Sequence, residues 1–140
     1  MPDRSDSHPA TGLPCVLIVD DEVSIRVVLR RFFTRRGWDV YEAEDGETAC
    51  KLLAPNVGCV FAVVICDLRM PRFSGYEFYR WLSEVRPDAA ARLVFTTGDA
   101  DSAQTGEFLA AAHRPVLTKP FDLRQVGEVV DQIWGTAQAA

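Results

Sequence analysis

Lysine is almost missing from this chain: Lys51 and Lys119 stand against thirteen arginines. Missing too is any apolar stretch that approaches the roughly 20 residues needed to cross a bilayer, and no signal-peptide pattern opens the sequence. The four cysteines, Cys15, Cys50, Cys59 and Cys66, lack the spacing of a metal site. Three of them lie in or beside apolar runs, where a free thiol behaves as a small hydrophobe. We therefore expect a reduced, cytoplasmic chain with neither disulfides nor a membrane span. An overall basic character is absent as well. The net charge of −5 argues against direct nucleic-acid binding, which needs cations to neutralise phosphates. No internal repeat is visible.

What is present suits one soluble domain: 140 residues, 48% hydrophobic and 25% charged. Residues 1–13 are polar, carry Pro and Gly, and are expected to form a flexible N-terminal tail. Residues 14–135 are expected to form the folded domain, and residues 136–140 a frayed C-terminus. Inside the domain, short β-branched runs alternate with helical patterns. CVLIVD (15–20) and CVFAVVICD (59–67) have the continuous apolar character of strands buried on both faces. Shorter strands are expected at 38–43, 91–97 and 115–118.

Between the strands, Ile25, Val28, Leu29 and Phe32 recur at i, i+3, i+4 and i+7, the spacing of one helix face. Gly37 follows as a left-handed cap. Asp45 is a good N-cap for a second helix with Ala49, Leu52 and Leu53 inward. Phe78, Trp81, Leu82 and Val85 mark a third, and Phe108 and Leu109 a fourth. Asp122 and Gln125 form the capping box of a fifth, whose stripe is Val126, Val129, Val130 and Ile133. Five strands and five helices in alternation specify a doubly wound parallel α/β sheet, since parallel strands require right-handed crossovers. A flavodoxin-like (βα)5 order, 2-1-3-4-5, would open a crevice at the carboxyl ends of strands 1 and 3.

Those ends carry the polar residues. Strand 1 ends in Asp20-Asp21-Glu22, strand 3 in Asp67, strand 4 in Thr96-Thr97 and strand 5 in Thr118-Lys119. Taken singly, each has an ordinary explanation: a helix cap, a turn, a strand former, a solvated charge. Together on one rim, the acids would repel unless a cation joined them, and hard oxygens in a small cluster suit Mg²⁺ or Mn²⁺. A hydroxyl and an ammonium beside them suit the oxygens of a phosphoryl group attached to one of the acids. Phosphoryl transfer asks for positioning and charge neutralisation, and this set provides both.

The segments VLIVDDE (16–22), VVICDLRMPRFSG (63–75), LVFTTGD (93–99) and LTKPF (117–121) resemble the response-regulator receiver (CheY-like) domains of two-component signalling. The spacing agrees, with Thr97 thirty residues and Lys119 fifty-two residues after Asp67. The resemblance covers residues 15–134 and supports the 2-1-3-4-5 order as much as the periodicity does. It implies that Asp67 is the phosphoacceptor, that Asp21 binds Mg²⁺ directly, and that Asp20 does so directly or through water. The main-chain carbonyl of Arg69 would complete the coordination. Thr97 would be the switch hydroxyl, Gly98 a position kept small for access, and Lys119 the partner of a phosphoryl oxygen before an often-cis bond to Pro120. It also implies a histidine kinase or histidine phosphotransfer protein as donor, with Phe32, Phe33, Arg35 and Arg36 near that partner.

The sequence also departs from the family. Val116 stands where many receivers carry an aromatic, and FLAAAHRPVLTKPF (108–121) is most similar to receivers attached to sensor histidine kinases. Arg69 and Asp99, each two residues beyond a site residue, are expected to form a gate over the acyl phosphate. Two other readings remain open: a Mg²⁺-dependent aspartyl-phosphate phosphohydrolase, and an interaction module that works without phosphorylation. The former family usually places a second Asp where Arg69 stands. The leading expectation is a signalling domain rather than an enzyme. Its cognate kinase, downstream protein and oligomeric state are not encoded in any motif.

Overall fold

The computed structural model describes residues 13–53, 61–99 and 102–139. Cys59 and residues 1–12 of the expected tail lie outside them. Among the described residues the order is β1 (Cys15–Val19), α1 (Val23–Arg35), β2 (Asp39–Ala43), α2 (Gly46–Leu52), β3 (Phe61–Asp67) and α3 (Gly75–Val85). Then follow α4 (Pro87–Ala90), β4 (Leu93–Thr97), α5 (Ala103–Ala112), β5 (Val116–Thr118) and α6 (Leu123–Ala139). The five strands are parallel and lie in the order β2-β1-β3-β4-β5, as the alternation and the family resemblance imply.

The sheet is buried on both faces because its central strands are apolar until their carboxyl ends, where Asp67, Thr96 and Thr97 are buried polar residues. All five residues of β1, all seven of β3 and all five of β4 are buried. Alternate side chains feed two cores. Leu17, Val19, Val64, Cys66, Leu93 and Phe95 meet Phe78 and Leu82 of α3 on one face. Val16, Ile18, Val63, Ile65, Val94 and Leu117 meet Leu29 and Phe33 of α1 and Val126 and Val130 of α6 on the other. At the amino edge, arginine forks satisfy carbonyls: Arg92 donates to Phe61 O at 3.3 Å, and Arg114 to Leu93 O at 2.9 Å. Such multi-donor reach is a use for arginine that lysine serves less well.

Several local signals hold. Gly37 is left-handed, with φ of 82°. The Asp45 side chain accepts from Thr48 N at 2.8 Å to cap α2. The Asp122–Gln125 box is formed reciprocally, both bonds at 2.9 Å.

Three expectations are corrected. The buried stripe of α1 is rotated: Phe33, not Val28, is core, and Val28 is 45% exposed. Phe33 is drawn in by Trp38, at a ring separation of 5.2 Å, so it does not face a partner. The sixth helix, α4, is a single turn begun by Pro87, too short to leave a periodic signal. Apart from these, α6 extends from Leu123 to Ala139.

Candidate functional site

The parallel order brings the ends of β1, β3, β4 and β5 to one rim. Asp20 continues the β1 ladder, its N–H bonded to Ala43 O at 3.1 Å, and Lys119 is fixed by its N–H to Thr97 O at 2.7 Å. Lys119-Pro120 is cis. From the end of β5 the lysine side chain reaches across β4 to β3 and β1. Its ammonium lies 3.0 Å from Glu22 Oε1, 3.1 Å from Asp20 Oδ2 and 3.3 Å from Asp67 Oδ2. Three carboxylates thus share one ammonium, whose three hydrogens match three acceptors.

The loop after Asp67 is held from several sides. Leu68 N–H donates to Thr96 O at 3.0 Å, and Gly75 N–H returns to Leu68 O at 2.9 Å. Gly75 is required by space, since a Cβ there would overlap the Asp67 carbonyl oxygen and the Leu68 Cα. Ser74 then starts α3 with a capping box to Glu77. Asp67 Oδ1 accepts from Arg69 N–H at 3.2 Å, which aims the other oxygen at Lys119.

Burial sets the electrostatics. Asp20 is 2% exposed and Asp67 5%. Desolvation raises the pKa of both carboxyls; Asp20's charge raises Asp67 further, while backbone N–H bonds and Lys119 oppose the rise. Burial works against the Lys119 ammonium, but its bond to Glu22 and the charges of Asp20 and Asp67 outweigh it and raise its pKa. The site is a pair of desolvated carboxylates in need of positive charge.

The remaining residues divide. Glu22, undistinguished in the sequence beyond following two acids, joins Asp20 and Asp67 in a cluster whose ligand oxygens lie within 4.8 Å of one another. Asp21 is exposed and borders a cavity of about 270 Å³ with Glu44, Asp45, Pro71 and Arg72. Thr97 is fully buried, and its hydroxyl accepts from Asp99 N–H at 3.0 Å. Strand alternation separates it from Thr96, whose buried hydroxyl has no partner among the described residues. Gly98 borders open space. Arg69 and Asp99 pair at 2.8 Å, bridging the loops after β3 and β4, with side chains 54% and 48% exposed.

Val116 opposes Phe95 on β4, and the aromatic bulk absent at 116 stands on neighbouring elements. Phe95, Tyr76 and Tyr79 all contact the Phe108 ring at centroid distances of 4.6–6.0 Å.

A parallel five-stranded domain with paired buried acids, a lysine and a strand-end threonine at its switch point has the make-up of a receiver. The family model for the response regulator receiver domain matches residues 16–131. The chain is 31% identical to the sensor kinase CckA of Brucella abortus over 88% of its own length and 13% of that protein. It is 30% identical to the transcriptional regulatory protein ResD of Bacillus subtilis, covering 79% of this chain and 44% of the relative. It therefore spans less than half of either protein. Among solved structures, the chemotaxis protein CheY4 of Vibrio cholerae superposes with a TM-score of 0.73 at 25% identity, over 86% of this chain and 98% of that one. A response regulator receiver protein from Pseudomonas putida gives 0.75 at 28%, over 86% and 97%. The chain belongs to the response regulator receiver domain family. No helix among the described residues is long and apolar enough to cross a membrane.

Proposed function

We propose that this domain accepts a phosphoryl group on Asp67 from a phosphohistidine of a histidine kinase or phosphotransfer protein, in the cytoplasm, and thereby changes its partner binding. The observation that carries the reading is the sharing of Lys119 between Asp67 and Asp20 in a desolvated rim. An Asp67 carboxylate oxygen would attack phosphorus as the P–N bond breaks, and the imidazole leaves with the bonding electrons. Lys119 would then transfer its contact from the carboxylate to a phosphoryl oxygen. Thr97 would give up its bond to Asp99 N–H and turn its hydroxyl to the same group.

The donor set fits Mg²⁺, or Mn²⁺: hard carboxylate oxygens, two of them desolvated and close together. Asp20 and Asp67 would hold the ion, with the main-chain carbonyl of Arg69. Asp21, being exposed, is free to turn in from the rim. When bound, the ion would neutralise charge on the transferring oxygens. The Arg69–Asp99 pair would act as a gate, slowing attack of water on the acyl phosphate. The exposed arginines of α1 are the candidate docking face for the donor.

The test is incubation with a small phosphodonor and Mg²⁺, read by intact mass. One added phosphoryl group on the wild type and none on Asp67→Asn is expected. An undiminished adduct on Asp67→Asn overturns the assignment.

A further inference from the structure

The acids that hold the lysine are also the acids that could hold a metal. Lys119 Nζ contacts Glu22, Asp20 and Asp67, and those three residues form the cluster of closely spaced ligand oxygens. The ammonium and a divalent cation therefore compete for the same oxygens. The three acids differ in exposure. The side chains of Asp20 and Asp67 are 2% and 7% exposed, while that of Glu22 is 54% exposed. Glu22 is also anchored independently of its carboxylate, because its N–H donates to Asp20 Oδ1 at 2.8 Å. Its backbone is thus held at the mouth of the site, and its exposed carboxylate meets the lysine from the solvent side.

We propose that Glu22 is a positioning residue that holds the Lys119 ammonium at the rim when a divalent cation takes the oxygens of Asp20 and Asp67. The inference rests on the reading that Mg²⁺ binds these acids. With Glu22 present, Lys119 keeps one short carboxylate partner after giving up the two buried ones. From that place it remains within reach of a phosphoryl oxygen on Asp67. Without Glu22, its ion-pair partners among the described residues are the two carboxylates the cation needs, and it competes with the cation at full strength. A carboxylate that acted as a ligand would behave differently, because its effect would not depend on the lysine.

A double-mutant cycle on Mg²⁺ affinity, measured by calorimetry without phosphodonor, separates the two. Glu22→Gln in the wild-type background is expected to weaken Mg²⁺ binding about fivefold. In the Lys119→Met background the same change is expected to cost less than about twofold. Equal losses in both backgrounds overturn the proposal while leaving the metal site standing. Absence of Mg²⁺ binding by the wild type overturns the metal reading and this inference with it. A second measurement needs no Lys119 variant. Because the chain has only two lysines, ¹⁵N-lysine labelling yields two ammonium signals, assigned with Lys51→Arg. At saturating Mg²⁺ the Lys119 signal should stay protected from exchange in the wild type and broaden in Glu22→Gln. Equal broadening in both contradicts the holding role.

Discussion

Gly75→Ala is the change whose cost follows most directly from the geometry of the phosphoacceptor loop. The added Cβ would overlap backbone atoms, the Asp67 carbonyl oxygen and the Leu68 Cα, and neither can swing aside as a side-chain tip could. Overpacking of this kind costs about 1–3 kcal/mol. Alanine recovers roughly 0.4–1 kcal/mol by restricting the unfolded chain. The net loss is about 1–2 kcal/mol, which for a domain of this size lowers Tm by about 4–8 °C. The strain enters at Asp67 itself, so phosphoryl uptake should slow by at least about tenfold, as for other sub-ångström misplacements of a reacting group. Thermal melts by circular dichroism and timed intact-mass spectra read the two effects. Gly98→Ala is the control: a Cβ there meets nothing within 4 Å, so stability should change by less than about 0.5 kcal/mol. A Gly75→Ala protein with wild-type Tm and uptake rate would refute the argument that this glycine sets the approach of α3 to the acid.

Three further outcomes follow from single features. Ser74→Ala removes the hydroxyl that accepts from Glu77 N–H in the α3 capping box, leaving only the backbone half, and should cost about 1 kcal/mol in urea unfolding, with Glu77→Gln closer to neutral because it retains an acceptor. Burial and the Asp20 charge raise the Asp67 pKa in the metal-free site, so without Mg²⁺ its carboxyl carbon should titrate by NMR at a higher pH than an ordinary aspartate; titration at or below the ordinary value contradicts the desolvation argument. The native state also holds the Asp67 proton more tightly than the unfolded chain, so stability without metal falls as pH rises through the raised pKa. Asp67→Asn should accordingly raise Tm at neutral pH in metal-free buffer; a lowered Tm contradicts the desolvation argument. For the loop pair, Asp99→Ala should leave Tm within about 2 °C, since half-exposed ion pairs contribute little, yet speed loss of phosphate from Asp67. An unchanged dephosphorylation rate ends the gate idea.

Much of this was legible before any coordinates because strand ends are easy to read. Continuous apolar runs such as FAVVICD fix where a buried strand stops, and in a parallel sheet every strand stops on the same rim. Asp20, Asp67, Thr97 and Lys119 could be grouped for that reason alone. What was hidden depends on rotation and reach. The i, i+3, i+4, i+7 template from Ile25 takes in Val28 and ends at Phe32, whereas the structure buries Phe33, one position on and in ring contact with Trp38. Thr96 and Thr97 are indistinguishable as letters, yet alternation leaves one hydroxyl buried without a partner among the described residues and bonds the other to Asp99. Asp21 and Glu22 are adjacent, yet the glutamate carboxylate meets the lysine while Asp21 borders a cavity with Glu44 and Arg72. No residue pattern encodes that choice.

The central claim is that Asp67 carries the phosphoryl group as an acyl phosphate. Borohydride reduction after loading, followed by peptide mass mapping, tests it at the level of the atom, because reduction converts a phosphorylated aspartate to homoserine. Homoserine at position 67 and at no other acid is the expected result. Its appearance at Asp20 or Asp21, or its absence from a protein shown by intact mass to be phosphorylated, would contradict the account.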